Sequence, residues 1–153
     1  MAKPMRTTLP ALAAAVTSVL VAFAPGAARA DDANVPGTYE VKFDEVSNNC
    51  TQTSTNLARG TVEVGTKKGG VTVDIERIPS MSGAAPKAGK IKAQSKLGPS
   101  NIEGLDGKFS VAGKADDGVI QLVFVAEYYL KGKPFCTQSW NVSGLKKTEL
   151  DKK

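Results

Sequence analysis

The sequence has no histidine among its 153 residues. That absence removes Ser-His-Asp and Cys-His catalysis, H-E-x-x-H zinc sites and histidine-based pH switching. Cysteine is nearly absent too, with only Cys50 and Cys136. Two thiolates without histidine cannot complete a zinc site of the usual Cys/His kind, and their spacing is far from the C-x-x-C of redox pairs. Aromatic residues make up 6% of the chain, with a single tryptophan. No glycine-rich phosphate cradle precedes a helical pattern, and no internal repeat occurs. Nor is there an apolar run of the ~20 residues that a membrane-spanning helix needs. The longest, residues 9–24, is interrupted by Pro10, Thr17 and Ser18. No cofactor and no metal is expected.

What is present begins with that apolar stretch. Lys3 and Arg6 precede it, and Ala28-Arg29-Ala30 follows it with small residues in the small-x-small arrangement. Basic start, short apolar middle and small-residue end are the parts of a cleavable secretory signal. Residues 1–30 are therefore expected to be removed after Ala30, leaving no transmembrane anchor in the mature chain. The alanine-rich style suggests a bacterial protein, periplasmic or extracellular. Cleavage also changes the charge. The net +5 of the whole chain includes Lys3, Arg6 and Arg29. Residues 146–153 carry four lysines and two acids as a short basic tail, and residues 31–145 balance 13 basic against 13 acidic side chains. A neutral domain gives no reason to expect nucleic acid as a partner.

In an oxidising compartment an even pair of cysteines reads as a disulfide, so Cys50 and Cys136 are expected to be bridged. The bridge ties a polar loop at residues 47–59 to the beginning of the last strand.

Residues 31–145 read as one all-β domain. Tyr39, Val41 and Phe43 alternate with charged and hydroxyl residues. Val62 and Val64 do the same, as do Val71, Val73 and Ile75. Such period-2 patterns mark half-buried strands. Lys68-Gly69-Gly70, Asp106-Gly107, Asp117-Gly118 and Lys131-Gly132 supply turns. Ile91, Ala93, Ser95 and Leu97 are expected on one face of a further strand. Residues 79–89, rich in Pro, Ser, Gly and Ala, read as an irregular connection. The strongest strand is 119–130, with Ile120, Leu122, Phe124, Ala126, Tyr128 and Leu130 on one apolar face; a last strand runs from Phe135 to Ser143. A short piece at 102–105 completes a single antiparallel up-and-down meander of about 7–8 strands with one disulfide, closing as a β-barrel or folding as a β-sandwich. The barrel fits better. An immunoglobulin-type sandwich wants its tryptophan after the first cysteine and a tyrosine two residues before the second, whereas Trp140 follows the second and Pro134 occupies the other position.

Gly37-Thr38-Tyr39, opening the first strand, resembles the Gly-x-Trp start of lipocalin or calycin-like secreted barrels, with tyrosine in place of tryptophan. Export, meander order and a first-to-last disulfide are similar to that group, and Lys146-Lys147 stands near where such barrels carry a basic residue. The resemblance implies a cavity for a small apolar or amphipathic ligand. Its lining would come from Tyr39, Phe43, Phe124, Tyr128, Gln138 and Trp140. Gln138, a polar group on an apolar face, could orient a ligand or bond a neighbouring backbone. Glu127 is a similar candidate.

The competing reading is a protein-interaction module of the cell envelope, or a secreted inhibitor, acting through loops 47–59 and 79–89 or a lysine stripe. Lys87, Lys90, Lys92 and Lys96 fall within ten residues with no acid between them. Such a stripe suits an envelope protein or anionic lipid head groups, or it protects an exposed strand. The carboxylate pairs Asp44-Glu45, Asp74/Glu76 and Asp116-Asp117 lie on solvent faces or in turns, so no nucleophile, base and acid assemble. Binding, not catalysis, is the expectation.

Overall fold

Alternation of apolar and polar residues governs the fold from Gly37 onward. The computed structural model describes residues 30–148; the expected signal, apart from Ala30, and the last five residues of the basic tail lie outside that range. After a 3-10 turn at Ala30–Asn34, the chain forms nine strands. They are β1 (Gly37–Asn48), β2 (Arg59–Lys67), β3 (Gly70–Ile75), β4 (Met81–Ala84), β5 (Lys90–Gln94), β6 (Gly98–Pro99), β7 (Asp106–Asp116), β8 (Val119–Leu130) and β9 (Lys133–Lys146).

All pairings are antiparallel between chain neighbours, except that β1 also pairs with β9 and β5 with β7. The β1–β9 ladder joins the first strand to the last. The β5–β7 ladder closes the sheet into a ring, with β6 a two-residue flap on the start of β7. This is the expected all-β meander, closed as a barrel, with the Cys50–Cys136 disulfide in place at a Cα–Cα distance of 5.2 Å. Among the described residues, no helix is long and apolar enough to cross a membrane.

The barrel has two unlike ends. One, the turn end, carries the hairpins at 67–70 and 116–119. Here Lys68 and Gly69, and Asp117 and Gly118, all have positive φ, as two-residue turns of right-twisted hairpins require. Residues 32–35 fold across this end. The Asp32 carboxylate accepts hydrogen bonds from the backbone N–H groups of Ala88 and Gly89 (3.2 and 2.7 Å), and Tyr39 donates its hydroxyl to the Val35 carbonyl at 2.6 Å. Val35 is buried as a plug. The other, the loop end, carries the longer connections 49–58, 76–80 and 95–105.

Inward positions from all eight ring strands fill the interior. Trp140 stacks on Phe124 (centroids 5.2 Å apart), Phe124 on Phe109 (6.2 Å), and Phe109 meets Tyr128 edge to face (6.0 Å). Such offset and edge contacts add to the burial of large apolar area. Tyr39, Met81, Ile91 and Ile120 are buried alongside them.

Three local expectations need correction. Residues 81–84, read as irregular, form β4, because pairing with β3 from Gly70↔Ala84 to Val73↔Met81 recruits a segment of poor strand composition. Leu97 does not continue the buried face of β5; it is 51% exposed. The strand stops at Gln94, and Ser95 holds Phe109 through its backbone N–H and its Oγ, so the chain leaves the ladder before Leu97. The piece expected at 102–105 forms turns, not a strand.

Candidate functional site

Gln138 on β9 is fully buried, and its whole amide is engaged. Its Oε1 accepts the Thr55 backbone N–H at 2.8 Å, and its Nε2 donates to the Thr55 carbonyl at 3.2 Å and to Glu45 Oε2 at 3.3 Å. The amide thus pairs with Thr55 much as a strand backbone would, and it fastens the 49–58 loop over the barrel mouth. The Thr55 hydroxyl completes a ring of three groups. Thr55 donates to the Tyr128 oxygen, Tyr128 donates to Asn101 Oδ1 at 3.3 Å, and Asn101 Nδ2 donates back to Thr55 Oγ1 at 2.8 Å. Among the described residues no buried side-chain polar atom lacks a partner. Satisfied polar groups of this kind fix one arrangement, since leaving any one of them unpaired is costly.

Burial raises the Tyr39 and Tyr128 hydroxyls above the ordinary value of 10.0; for Tyr128 its hydrogen bonds with Thr55 and Asn101 oppose the rise without cancelling it. The sign follows from linkage. As pH climbs past 10 the unfolded chain ionises first, so stability that is full below pH 10 falls as pH rises towards the folded value. Urea unfolding followed from pH 8 to 11.5 should show a midpoint that drops above pH 10. Tyr128→Phe should lose about 1–2 kcal/mol at neutral pH through its unpaired partners, yet decline less steeply above pH 10. An equally steep decline would show that Tyr128 does not contribute.

Outside this polar plug lies a cleft of about 610 Å³. Its apolar surface comes from Phe43, Leu57, Ile75, Ile78 and Ile102, and its charged groups are Arg59, Arg77 and Glu76. The Arg77 backbone is unusual. Four of the five described non-glycine residues at positive φ precede a glycine that is also at positive φ, the pairing expected of tight turns. Arg77, at φ 66°, is followed by Ile78 instead. The left-handed region costs a residue with a Cβ roughly 1–2 kcal/mol, and strain of this kind gathers at sites that use it. Glu76 lies 3.9 Å from Arg77 with both side chains mostly in solvent, so the pair contributes little.

The six residues expected to line a cavity all point inwards, but they do not share one space. Tyr39 serves the turn end, Phe124 and Trp140 the middle, and Tyr128 and Gln138 the plug. Phe43 alone borders the cleft. Glu127, the other polar candidate, is only partly buried, on the outer side of β8. Residues that the sequence did not single out are Asn101 of the plug and Arg77 and Ile78 of the cleft; Glu45 was read only as half of a solvent-facing carboxylate pair, and Thr55 and Arg59 only as part of the 47–59 loop. No periodicity marks Asn101, Arg77 and Ile78, because they lie in the connections between strands. The 47–59 loop, which carries Thr55 and Arg59, was the legible trace.

The lysine stripe lies on the outer wall, as its alternation with Ile91 and Ala93 requires. Lys87, Lys90, Lys92 and Lys96 are exposed. Lys90 stands opposite Lys114 across the β5–β7 ladder, and its backbone N–H bonds to the Lys87 carbonyl. Like charges directly opposed are unfavourable, and Lys114 turns to Asp116 at 3.1 Å. Among the described residues, no cluster of acidic or cysteine side chains is arranged to hold a metal ion.

No protein-family model matches this chain, and no curated protein or solved structure matches it either.

Proposed function

We propose that this protein is exported and binds a small amphipathic anion, without catalysis, at the loop-end mouth of a lipocalin-like barrel. The cleft carries the reading. It joins an apolar floor to two guanidinium groups, and its volume lies in the ordinary range of ligand sites. Phe43, Ile75 and Ile78 suit a hydrocarbon body, while Arg59 and Arg77 suit a carboxylate or sulfonate head. Seating the ligand at the mouth accounts for an interior occupied by stacked aromatics. Binding rather than turnover is the reading because arginine holds its proton at every working pH. Glu76, the remaining ionisable group, already faces Arg77. The disulfide suits an oxidising compartment and so supports export.

Calorimetric titration with laurate, a twelve-carbon carboxylate, tests the idea. Arg77→Ala and Arg59→Ala should each weaken binding by roughly tenfold, the low end for a charged hydrogen bond. Gly60→Leu should block the cleft, since a Cβ there already sits 3.6 Å from the Phe43 ring. Laurate affinity unchanged by all three substitutions would remove the cleft as the site.

A further inference from the structure

At the same end of the barrel, the hairpin joining β8 to β9 reaches beyond its neighbours. The last residue of β1 paired with β9 is Asn48, opposite Gln138, and β7 begins with Asp106 opposite Tyr129. The Leu130↔Lys133 pair and the turn beyond it therefore have no strand on either flank. A β-bulge follows. Tyr128 pairs with Cys136 but Tyr129 pairs with Pro134, so Phe135 is an extra residue without a cross-strand partner. Bulges re-aim side chains, and here strict alternation from buried Cys136 would turn Pro134 inwards. Instead Pro134 and Phe135 are both exposed, Phe135 by 49% and Leu130 by 42%.

The chemistry of this tip is uniform. Residues 129–135 read Tyr-Leu-Lys-Gly-Lys-Pro-Phe, with two lysines and no acid. Among the described residues neither Lys131 nor Lys133 has an ion-pair partner. The nearest acids along the ladders are Asp106, opposite Tyr129, and Glu127, on the barrel wall behind the tip. Two large apolar side chains on a projecting turn, flanked by unpaired ammonium groups, match the boundary of a bilayer bearing anionic head groups. Apolar side chains enter the acyl boundary there and lysines stay at the head groups. A protein partner would need a concave apolar surface with paired acids, whereas a bilayer needs only this convex tip.

We infer that the β8–β9 hairpin docks the protein on anionic lipid membranes, with Leu130 and Phe135 inserted and Lys131 and Lys133 at the head groups. Docking by this end sets the mouth of the barrel beside the bilayer. The inference is independent of the cleft reading, though the two together describe a carrier that meets membranes with its open end.

The test uses the full chain and vesicles of phosphatidylcholine with or without 30% phosphatidylglycerol, the acyl chains brominated near the head group. Phe135→Trp adds a reporter to the buried Trp140, and its added emission should shift to shorter wavelength and be quenched by the anionic vesicles. Emission no more quenched than that of the wild type would overturn the proposal. In flotation, Lys131→Glu/Lys133→Glu should lose more than tenfold in binding relative to the wild type, from roughly fivefold for each lysine charge. Leu130→Ser/Phe135→Ser should lose at least as much. Both pairs are exposed, so folding is not at stake. Lys90→Glu/Lys92→Glu should bind as the wild type does; losing binding there and not at the hairpin would move docking to the stripe and refute the inference. Arg77→Ala should float unchanged, which separates failure of the docking from failure of the cleft. Should the wild type dimerise through Leu130 and Phe135 and lose vesicle binding as it does so, the tip is a self-association surface and the membrane proposal falls.

Discussion

Reducing the Cys50–Cys136 disulfide, or replacing both cysteines by serine, is expected to remove about 4–5 kcal/mol of stability. The two residues are 86 apart in sequence, and closing a loop of that size restricts the unfolded chain by about this amount in the chain-entropy description. In a domain with a total of roughly 5–15 kcal/mol, that is a large share. The melting temperature should fall by roughly 15 °C or more. The denaturant slope should rise as well, because an uncrosslinked chain exposes more surface on unfolding. Urea titration followed by Trp140 emission, with and without reductant, reads both quantities. The effect should also reach the candidate site. Cys50 begins the loop that carries Thr55, and Cys136 lies two residues before Gln138, so the bridge and the Thr55–Gln138 hydrogen bonds secure the same lid. Laurate affinity should therefore drop in reductant at a temperature where the barrel remains folded. A midpoint unmoved by reduction would show that the β1–β9 ladder alone restrains the chain and that the bridge is redundant.

Much of this architecture is legible in the sequence because a barrel wall is a periodic object. Ile120, Leu122, Phe124, Ala126 and Tyr128 are buried as their alternation requires, whereas Leu130, expected on the same face, is 42% exposed where the β8–β9 hairpin outruns its neighbours. The same logic places Lys90 and Lys92 outside. The reading weakens where pairing, not composition, decides. Met81 to Ala84 become a strand because β3 offers an edge. Leu97 fits the alternation but lies beyond Ser95, where the backbone has already turned to Phe109. The candidate site was least legible. Gln138 was recognisable as a polar residue needing partners, and the possibility that it bonds a neighbouring backbone matches its pairing with Thr55. Which backbone group it would meet could not follow from spacing, since Thr55 is 83 residues away. The cleft joins segments 54–61, 75–78 and 101–102; the β2–β3 hairpin sets the first two side by side, but no local pattern brings 101–102 to them.

Trp140→Ala is the second change with a large expected effect, about 3–5 kcal/mol. The indole is 1% exposed and stacks on Phe124, its direct cross-strand neighbour. Its removal leaves a void that the ring cannot collapse to fill, because β8 and β9 are held by an almost continuous ladder on either side. The variant also separates two uses of the interior. If Trp140 lines a ligand seat, its loss should abolish laurate binding while sparing stability. If it fills a core, as its packing indicates, stability should fall and the folded fraction should bind laurate as before. Circular dichroism melting gives the first quantity and calorimetry at low temperature the second. A rescue experiment sharpens the contrast. A dry apolar void of this size accepts a small aromatic, so free indole should raise the melting temperature of Trp140→Ala and leave the wild type unchanged. At a hundred times its dissociation constant, indole would restore about 2.7 kcal/mol, more than half of the expected loss. Stabilisation of the wild type by indole to a similar degree would mean that the native interior already has room for a ligand, and would return the binding site to the barrel axis.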